Sequence, residues 1–216
     1  MAKEPQPVRI FPSALEDAVR ARRASEQSDS YRLAYSDEPF LLRDELRAVR
    51  LQLEWLKPEI IQQEKGIEST VVIFGSARCL EPTRAEQLLA QAKEALVSSA
   101  NDPKLQLAVR RAETALQNSQ YYEEARSLAR HIARASNAHC AHEYVVVTGG
   151  GSGIMEAANR GAADEGALSI GLNIVLPFEQ KPNPYISPEL RFQFHYFAIR
   201  KMHFLKRARA LVVCPG

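Results

Sequence analysis

The sequence predicts an α/β fold, a parallel sheet with helices on both faces, and three observations carry that expectation. Short β-branched runs, TVVIF at residues 70–74 and YVVVT at 144–148, end in glycine, as buried parallel strands feeding loops do. Segments rich in Ala, Leu, Gln and Glu separate these runs from one another and from later ones. Glycine-rich turns stand at strand ends, where open α/β sheets hold their ligands.

Residues 1–68 are expected to form an N-terminal helical appendage. Within it Leu42, Leu46, Val49, Leu53, Leu56 and Ile60 follow one another in steps of four and three, a heptad-like seam on one helix. Pro58 is expected to break or restart that helix. The seam suits a helix packed on its own domain and a subunit interface equally.

A second domain, residues 69–216, opens with the strand TVVIF. Helical segments are expected over about 83–99, 103–118 and 121–136, with Asn101-Asp102-Pro103 turning the first into the second. A parallel crossover needs only about a dozen residues, so the surplus at about 83–119 reads as an inserted helical hairpin. The strand EYVVVT and the helix IMEAANRGAADEG, closed by Gly166, come next. LSIGLNIVL is then a strand, KPNPYISPEL a proline-rich loop, LRFQFHY a strand with alternating polarity, AIRKMHFLKRAR a short basic helix and ALVVC a final buried strand. The sheet is expected to be incomplete at its C-terminal side, since the sequence ends at Pro215-Gly216 just past that strand.

With 45% apolar and 25% charged residues and a formal charge of +2 over 216 residues, the chain is globular in composition and has no global polyanion field. Partners of the nucleic-acid or membrane class are therefore not expected. No apolar run approaches the roughly 18 residues of a membrane span, and the first residues form no signal-like apolar stretch. Cys79, Cys140 and Cys214 are too few and too scattered for a disulfide framework, which points to a reducing, cytoplasmic setting. His139-Cys140-Ala141-His142 lacks further ligands and is read as structural, so no metal and no cofactor are expected.

The strongest chemical signal is Thr148-Gly149-Gly150-Gly151-Ser152-Gly153 between a strand and a helix, because free N–H groups at such a junction bind phosphate. It is not a Walker loop, lacking Gly-Lys-Ser/Thr, nor a dinucleotide fingerprint, since Glu156 stands where the third glycine belongs. A monophosphate pocket fits. Gly75-Ser76-Ala77-Arg78 follows the first strand and would open on the same edge, with Ser76 donating to a phosphate or ribose oxygen and Arg78 pairing with phosphate. Arg200 and Lys201 start a helix whose Phe197, Ile199, Met202 and Phe204 read as buried, so their charges are expected to face a pocket and fix an anion. Lys206, Arg207 and Arg209 read as a solvated helix face, and Cys214 as a small apolar residue.

Taken in order, GSAR, VVTGGGSGIMEAANRGA, GLNIVLPFEQKPNPY, FHYFAIRKMHF and ALVVCPG resemble the Lonely Guy family of nucleotide phosphoribohydrolases, formerly labelled lysine decarboxylase-like, in its longer bacterial type. The resemblance covers roughly residues 70–78 and 121–216 and implies a Rossmann-like fold, assembly as a homodimer or larger homo-oligomer, and hydrolysis of nucleoside 5′-monophosphates to free base and ribose 5-phosphate. It implies a catalytic role for Arg200, with Lys201 beside it. Substrate contacts are implied at Gly149, Gly150, Gly151, Ser152, Gly153, Lys201, Pro215 and Gly216, with Ser152 replacing a proline common in the longer type, and Gly75, Ser76, Arg78 and Glu156 are expected to join them in the substrate site. Pro215-Gly216 match the start of the family's Pro-Gly-Gly-x-Gly-Thr-x-x-Glu motif, whose catalytic glutamate is not in this sequence. The 216-residue chain alone is therefore expected to be inactive. A nucleotide-binding sensor without chemistry is the alternative reading.

Overall fold

The computed structural model describes residues 12–23, 28–99, 101–139, 141–177 and 181–215, so Cys140 and Gly216 lie outside the described residues. The chain divides into two compact units, Met1–Leu53 and Glu54–Gly216.

In the first unit, α1 (Ala14–Arg23) is followed by short 3-10 turns and α2 (Glu38–Leu41), whose first turn holds Pro39. Asp37 caps α2 by accepting the Phe40 amide at 3.4 Å. The Tyr35 hydroxyl donates to the Ala14 carbonyl at 2.9 Å.

Helix α3 (Arg47–Glu64) runs through Pro58 without the expected break, and the proline is buried. A proline in a helix removes one amide donor, here the one that would serve the Glu54 carbonyl. The buried His203 imidazole faces the main-chain carbonyls of Glu54 and Trp55, which gives that carbonyl a polar neighbour. Gln62 donates to the Pro58 carbonyl at 3.1 Å. The apolar seam is uncovered along α3, with Val49, Leu53, Leu56 and Ile60 all exposed.

In the second unit β1 (Thr70–Phe74), β2 (Ala141–Thr148), β3 (Ser169–Ile174), β4 (Arg191–Phe194) and β5 (Ala208–Val213) form one sheet of order β4-β3-β2-β1-β5, every pairing parallel. The β-branched runs pack on both faces, as a sheet with helices on each side requires. Val71, Ile73 and Val146 face α5 (Pro103–His139) and α6 (Ile154–Asp164), while Val72, Val147, Ile170 and Leu172 face α7 (Phe197–Lys206) and Ile61 of α3. The fold is thus α/β and Rossmann-like; the edge strand β5, expected to be buried, instead leaves Leu211 and Val213 exposed at 52% and 69%, because among the described residues no helix packs over its outer side.

The second and third predicted helical segments are one helix. After α4 (Pro82–Val97), α5 runs 37 residues without interruption, because residues 118–122 (NSQYY) contain no glycine or proline to stop it. Its C-terminal half lies against α6 through Tyr122, Ala125 and Ala129 on one side and Ala157, Ala158 and Ala162 on the other. The approach is close enough that a Cβ at Gly161 would sit 2.2 Å from the Arg126 carbonyl oxygen. Arg126 pairs with Asp164 at 2.7 Å, and Arg134 with Glu165 at 2.8 Å.

Helix α7 also departs from expectation. It buries His203 and Phe204 but leaves Phe197 and Met202 about half exposed, at 54% and 50%. A ten-residue helix lying on a sheet covers one stripe, and these two residues stand on the other. Arg207, expected in solvent, is instead half-buried and bonded to Glu59 at 2.6 Å and to the Ile67 carbonyl at 2.9 Å.

Candidate functional site

Parallel strands aim all their carboxyl ends at one edge, and this brings the two predicted loops together. Residues 75–78 leave β1, and residues 149–153 leave β2 to start α6. The loops are joined directly: the Ile154 amide donates to the Ser76 carbonyl at 3.1 Å, and the Ser152 hydroxyl to the Ala77 carbonyl at 3.0 Å. Gly153 has φ +69°, and a Cβ there would lie 2.2 Å from the Ser76 oxygen. Only glycine fits that conformation and that contact together. The Cα of Gly75 packs against the Ile154 side chain. One amide of the α6 N-terminus is therefore spent on the neighbouring loop, while the N–H groups of Gly151, Ser152 and Gly153 take no hydrogen bond among the described residues.

A buried polar network that the sequence did not announce holds the glycine loop. The Gly150 amide donates to Thr148 Oγ1 at 3.0 Å, and Thr148 Oγ1 donates to Asn159 Oδ1 at 2.7 Å. Asn159 Nδ2 donates to Ser169 Oγ at 3.0 Å. Asn183 donates its side-chain amide to both the Gly151 carbonyl and Asn159 Oδ1 at 3.0 Å, and its backbone N–H to the Gly150 carbonyl at 2.9 Å. All four side chains are buried. The signal for Asn159 was available: an asparagine on the alanine face of a helix must find partners when buried.

Arg200 reaches the same loop from the opposite face of the sheet. Its Nε donates to the Leu172 carbonyl at 2.7 Å, and its Nη2 lies 3.5 Å from the Gly149 carbonyl oxygen. The guanidinium also sits over the Phe204 ring at 5.2 Å. It is half-buried, burial lowers its pKa, and among the described residues it has no carboxylate partner. Lys201 does not accompany it. That side chain is exposed, with its ammonium 4.8 Å from the Phe197 ring on the outer side of α7.

Strand order reverses at β1, which has β2 on one side and β5 on the other. The carboxyl-end crevice at such a point is where open α/β sheets bind ligands. A cavity of about 240 Å³ lies there, lined by Ser76, Arg78, Cys79, Asn118, Tyr121 and Pro215. Ser76, Arg78 and Pro215 are thus brought into one cavity, with the glycine loop bonded to its wall and Arg200 outside its lining. Burial raises the Cys79 and Cys214 thiol pKa values, which keeps both protonated.

Glu156 points toward α5, where it accepts the Tyr122 hydroxyl at 3.2 Å. Burial first, and then Glu156, push the Tyr122 pKa up to about 12. Arg160, on the same face of α6, pairs with Glu81 at 2.8 Å. Glu156 is therefore held on the α5 side while Arg200 approaches from the α7 side. Among the described residues no group of three or more His, Cys, Asp and Glu side chains could hold a metal ion, and no helix is long and apolar enough to cross a membrane.

Residues 108–199 match LDcluster4, the SLOG cluster4 family. The match begins within α5 and ends in α7, so it contains the glycine loop and the Thr148–Asn159–Ser169–Asn183 network. No curated protein matches the chain.

Proposed function

We propose that the chain binds a nucleoside 5′-monophosphate at the carboxyl edge of its sheet, phosphate on the Gly149–Gly153 loop, as part of a nucleoside 5′-monophosphate phosphoribohydrolase. The observation that carries this reading is the Arg200 guanidinium: half-buried, directed at the loop carbonyl of Gly149, and without a carboxylate partner among the described residues. An anion is the partner such a group lacks. Free amides at Gly151, Ser152 and Gly153 supply the second half of a phosphate cradle. Similarity to the SLOG cluster4 family over residues 108–199 supports a nucleotide-related role in the broad sense, and the ordered motifs that resemble Lonely Guy proteins support hydrolysis. Free thiols at Cys79 and Cys214 fit a cytoplasmic setting.

In the reaction, the bond between ribose C1′ and the base nitrogen breaks, the base leaves with a proton, and water supplies hydroxyl to C1′. Positive charge develops on the ribose ring, so a carboxylate must stabilise it or activate the water. A guanidinium does neither, and Arg200 instead neutralises and orients the phosphate. Among the described residues no carboxylate lines the crevice cavity, and Glu156 is engaged by Tyr122. The 216-residue chain is therefore expected to bind AMP and to release adenine no faster than background. The same observation favours, as a second reading, a nucleotide sensor that binds without chemistry.

The test is calorimetric titration of AMP into the chain and its Arg200→Ala variant, with adenine and ribose 5-phosphate quantified in parallel. Affinity at least about tenfold weaker in the variant is expected from loss of a charge-assisted contact. Equal affinity overturns the reading. Adenine release above background shows that this chain supplies its own carboxylate.

A further inference from the structure

We propose that Arg78, Arg110 and Arg111 form a second anion subsite, so that a nucleotide carrying further phosphate groups binds more tightly than the monophosphate. The proposal rests on the nucleotide reading above and extends its ligand class to nucleotides with more than one phosphate.

The crevice cavity does not end at Asn118. Arg78, Asn118 and Ala115 also line an open groove of about 770 Å³, whose far wall is Arg110, Arg111 and Thr114. Spacing explains why these α5 residues share a wall: positions 110, 111, 114, 115 and 118 recur at three and four residues and occupy one helix face. The predicted inserted hairpin therefore contributes a side of the site. From Arg110 to Tyr121 the helix rises about 16 Å, which is room for more than one phosphate.

Charge makes the case specific. Among the described residues no carboxylate lines the cavity or the groove, and none of the three guanidiniums has an ion-pair partner. Farther along α5, by contrast, Arg126 is matched to Asp164, and Arg130 and Arg134 to Glu165. The unpaired arginines of this helix are those at the groove. Guanidinium forks suit bidentate contact with phosphate oxygens. A long nucleic acid is disfavoured, because a formal charge of +2 gives the chain no extended field.

The experiment titrates AMP, ATP, inorganic tripolyphosphate and a short single-stranded oligonucleotide, at one fixed salt concentration, into the wild-type chain, an Arg110→Ala/Arg111→Ala double variant and Arg200→Ala. Both groove arginines are exposed, so the double variant keeps the fold, which circular dichroism confirms. ATP is expected to bind about tenfold or more tighter than AMP, and the double variant to erase that preference while leaving AMP affinity within about twofold. Equal wild-type affinity for ATP and AMP, a preference that survives the double variant, or an oligonucleotide that outbinds tripolyphosphate overturns the subsite. Failure of the monophosphate reading looks different. AMP binding then ignores Arg200→Ala, while tripolyphosphate still reports on the groove through Arg110 and Arg111.

Discussion

A Cβ added to Gly153 would sit 2.2 Å from the carbonyl oxygen of Ser76, so the loop after β2 and the loop after β1 touch at a point that admits no side chain. This contact joins the glycine loop to the wall of the crevice cavity.

Gly153→Ala is accordingly expected to destabilise the protein by about 2–3 kcal/mol, combining strain at φ +69° with a backbone clash. Urea denaturation checks it. A midpoint equal to that of the wild type would show that the two loops can separate freely.

Asn159→Ala removes the shared partner of Thr148, Ser169 and Asn183 in a fully buried setting. A loss of roughly 2–3 kcal/mol is expected, the cost of leaving buried polar groups unsatisfied. AMP affinity is expected to fall as well, since Asn183 holds the Gly150 and Gly151 carbonyls. A variant that loses stability but binds AMP as well as the wild type does would confine the network to folding.

Adjacent arginine and lysine are expected to behave differently. Arg200 faces the loop while Lys201 lies on Phe197 in solvent, so Lys201→Ala is expected to leave AMP affinity within about twofold, the scale of an exposed charge. A Lys201→Ala loss equal to that of Arg200→Ala would place both side chains in the site.

Stability is expected to fall between pH 7.5 and 5.5. Burial pushes the His203 imidazole below its ordinary pKa, with Lys206 adding to that effect and the Glu54 and Trp55 carbonyls and Glu59 opposing it. The unfolded chain therefore binds the proton more readily, and the His203 contribution is present above the ordinary value of about 6.5 and lost as pH falls below it. Burial alone would raise the Glu59 carboxyl, but hydrogen bonding to Lys206 and the charges of Arg207, Lys206 and His203 hold it below its usual value. Its contribution is thus retained through this window and lost only at lower pH. Thermal melts of the wild type and His203→Gln at both pH values test this: the drop shrinks in the variant, and an unchanged drop assigns it elsewhere.

The exposed seam of α3 predicts self-association. Leu53→Asp/Leu56→Asp is expected to shift sedimentation toward the monomer, because both leucines are about half exposed, at 50% and 46%, in a seam that also exposes Val49 and Ile60. An unchanged assembly state removes the seam from any interface.

β1 and β2 were legible in the sequence because a buried parallel strand needs a short β-branched run, and Thr70–Phe74 and Val145–Val147 leave little alternative, whereas β4 was legible from the alternation of RFQF. The convergence of residues 75–78 with 149–153 follows from the same property. Pro58 misled because its local cost is opposed by burial, which depends on packing distant in sequence. Lys201 misled because the sequence places two adjacent cations at a helix start without saying which one the sheet receives. The Asn183 bonds to Gly150 and Gly151 and the arginine face of α5 depend on long-range packing, which periodicity alone does not encode.

The unbroken length of α5 has a mechanical consequence. At about 1.5 Å per residue it is a beam of roughly 55 Å, with the arginine groove along its first half and α6 clamped to its second through Arg126–Asp164 and Arg134–Glu165. Without a hinge near residue 119, a ligand gripped at one end loads the packed core at the other. Occupancy of the groove is then felt as added thermal resistance of the whole sheet-bearing unit, growing with ligand concentration over Kd. Melting temperature thereby becomes a gauge of ligand identity that needs no turnover to read.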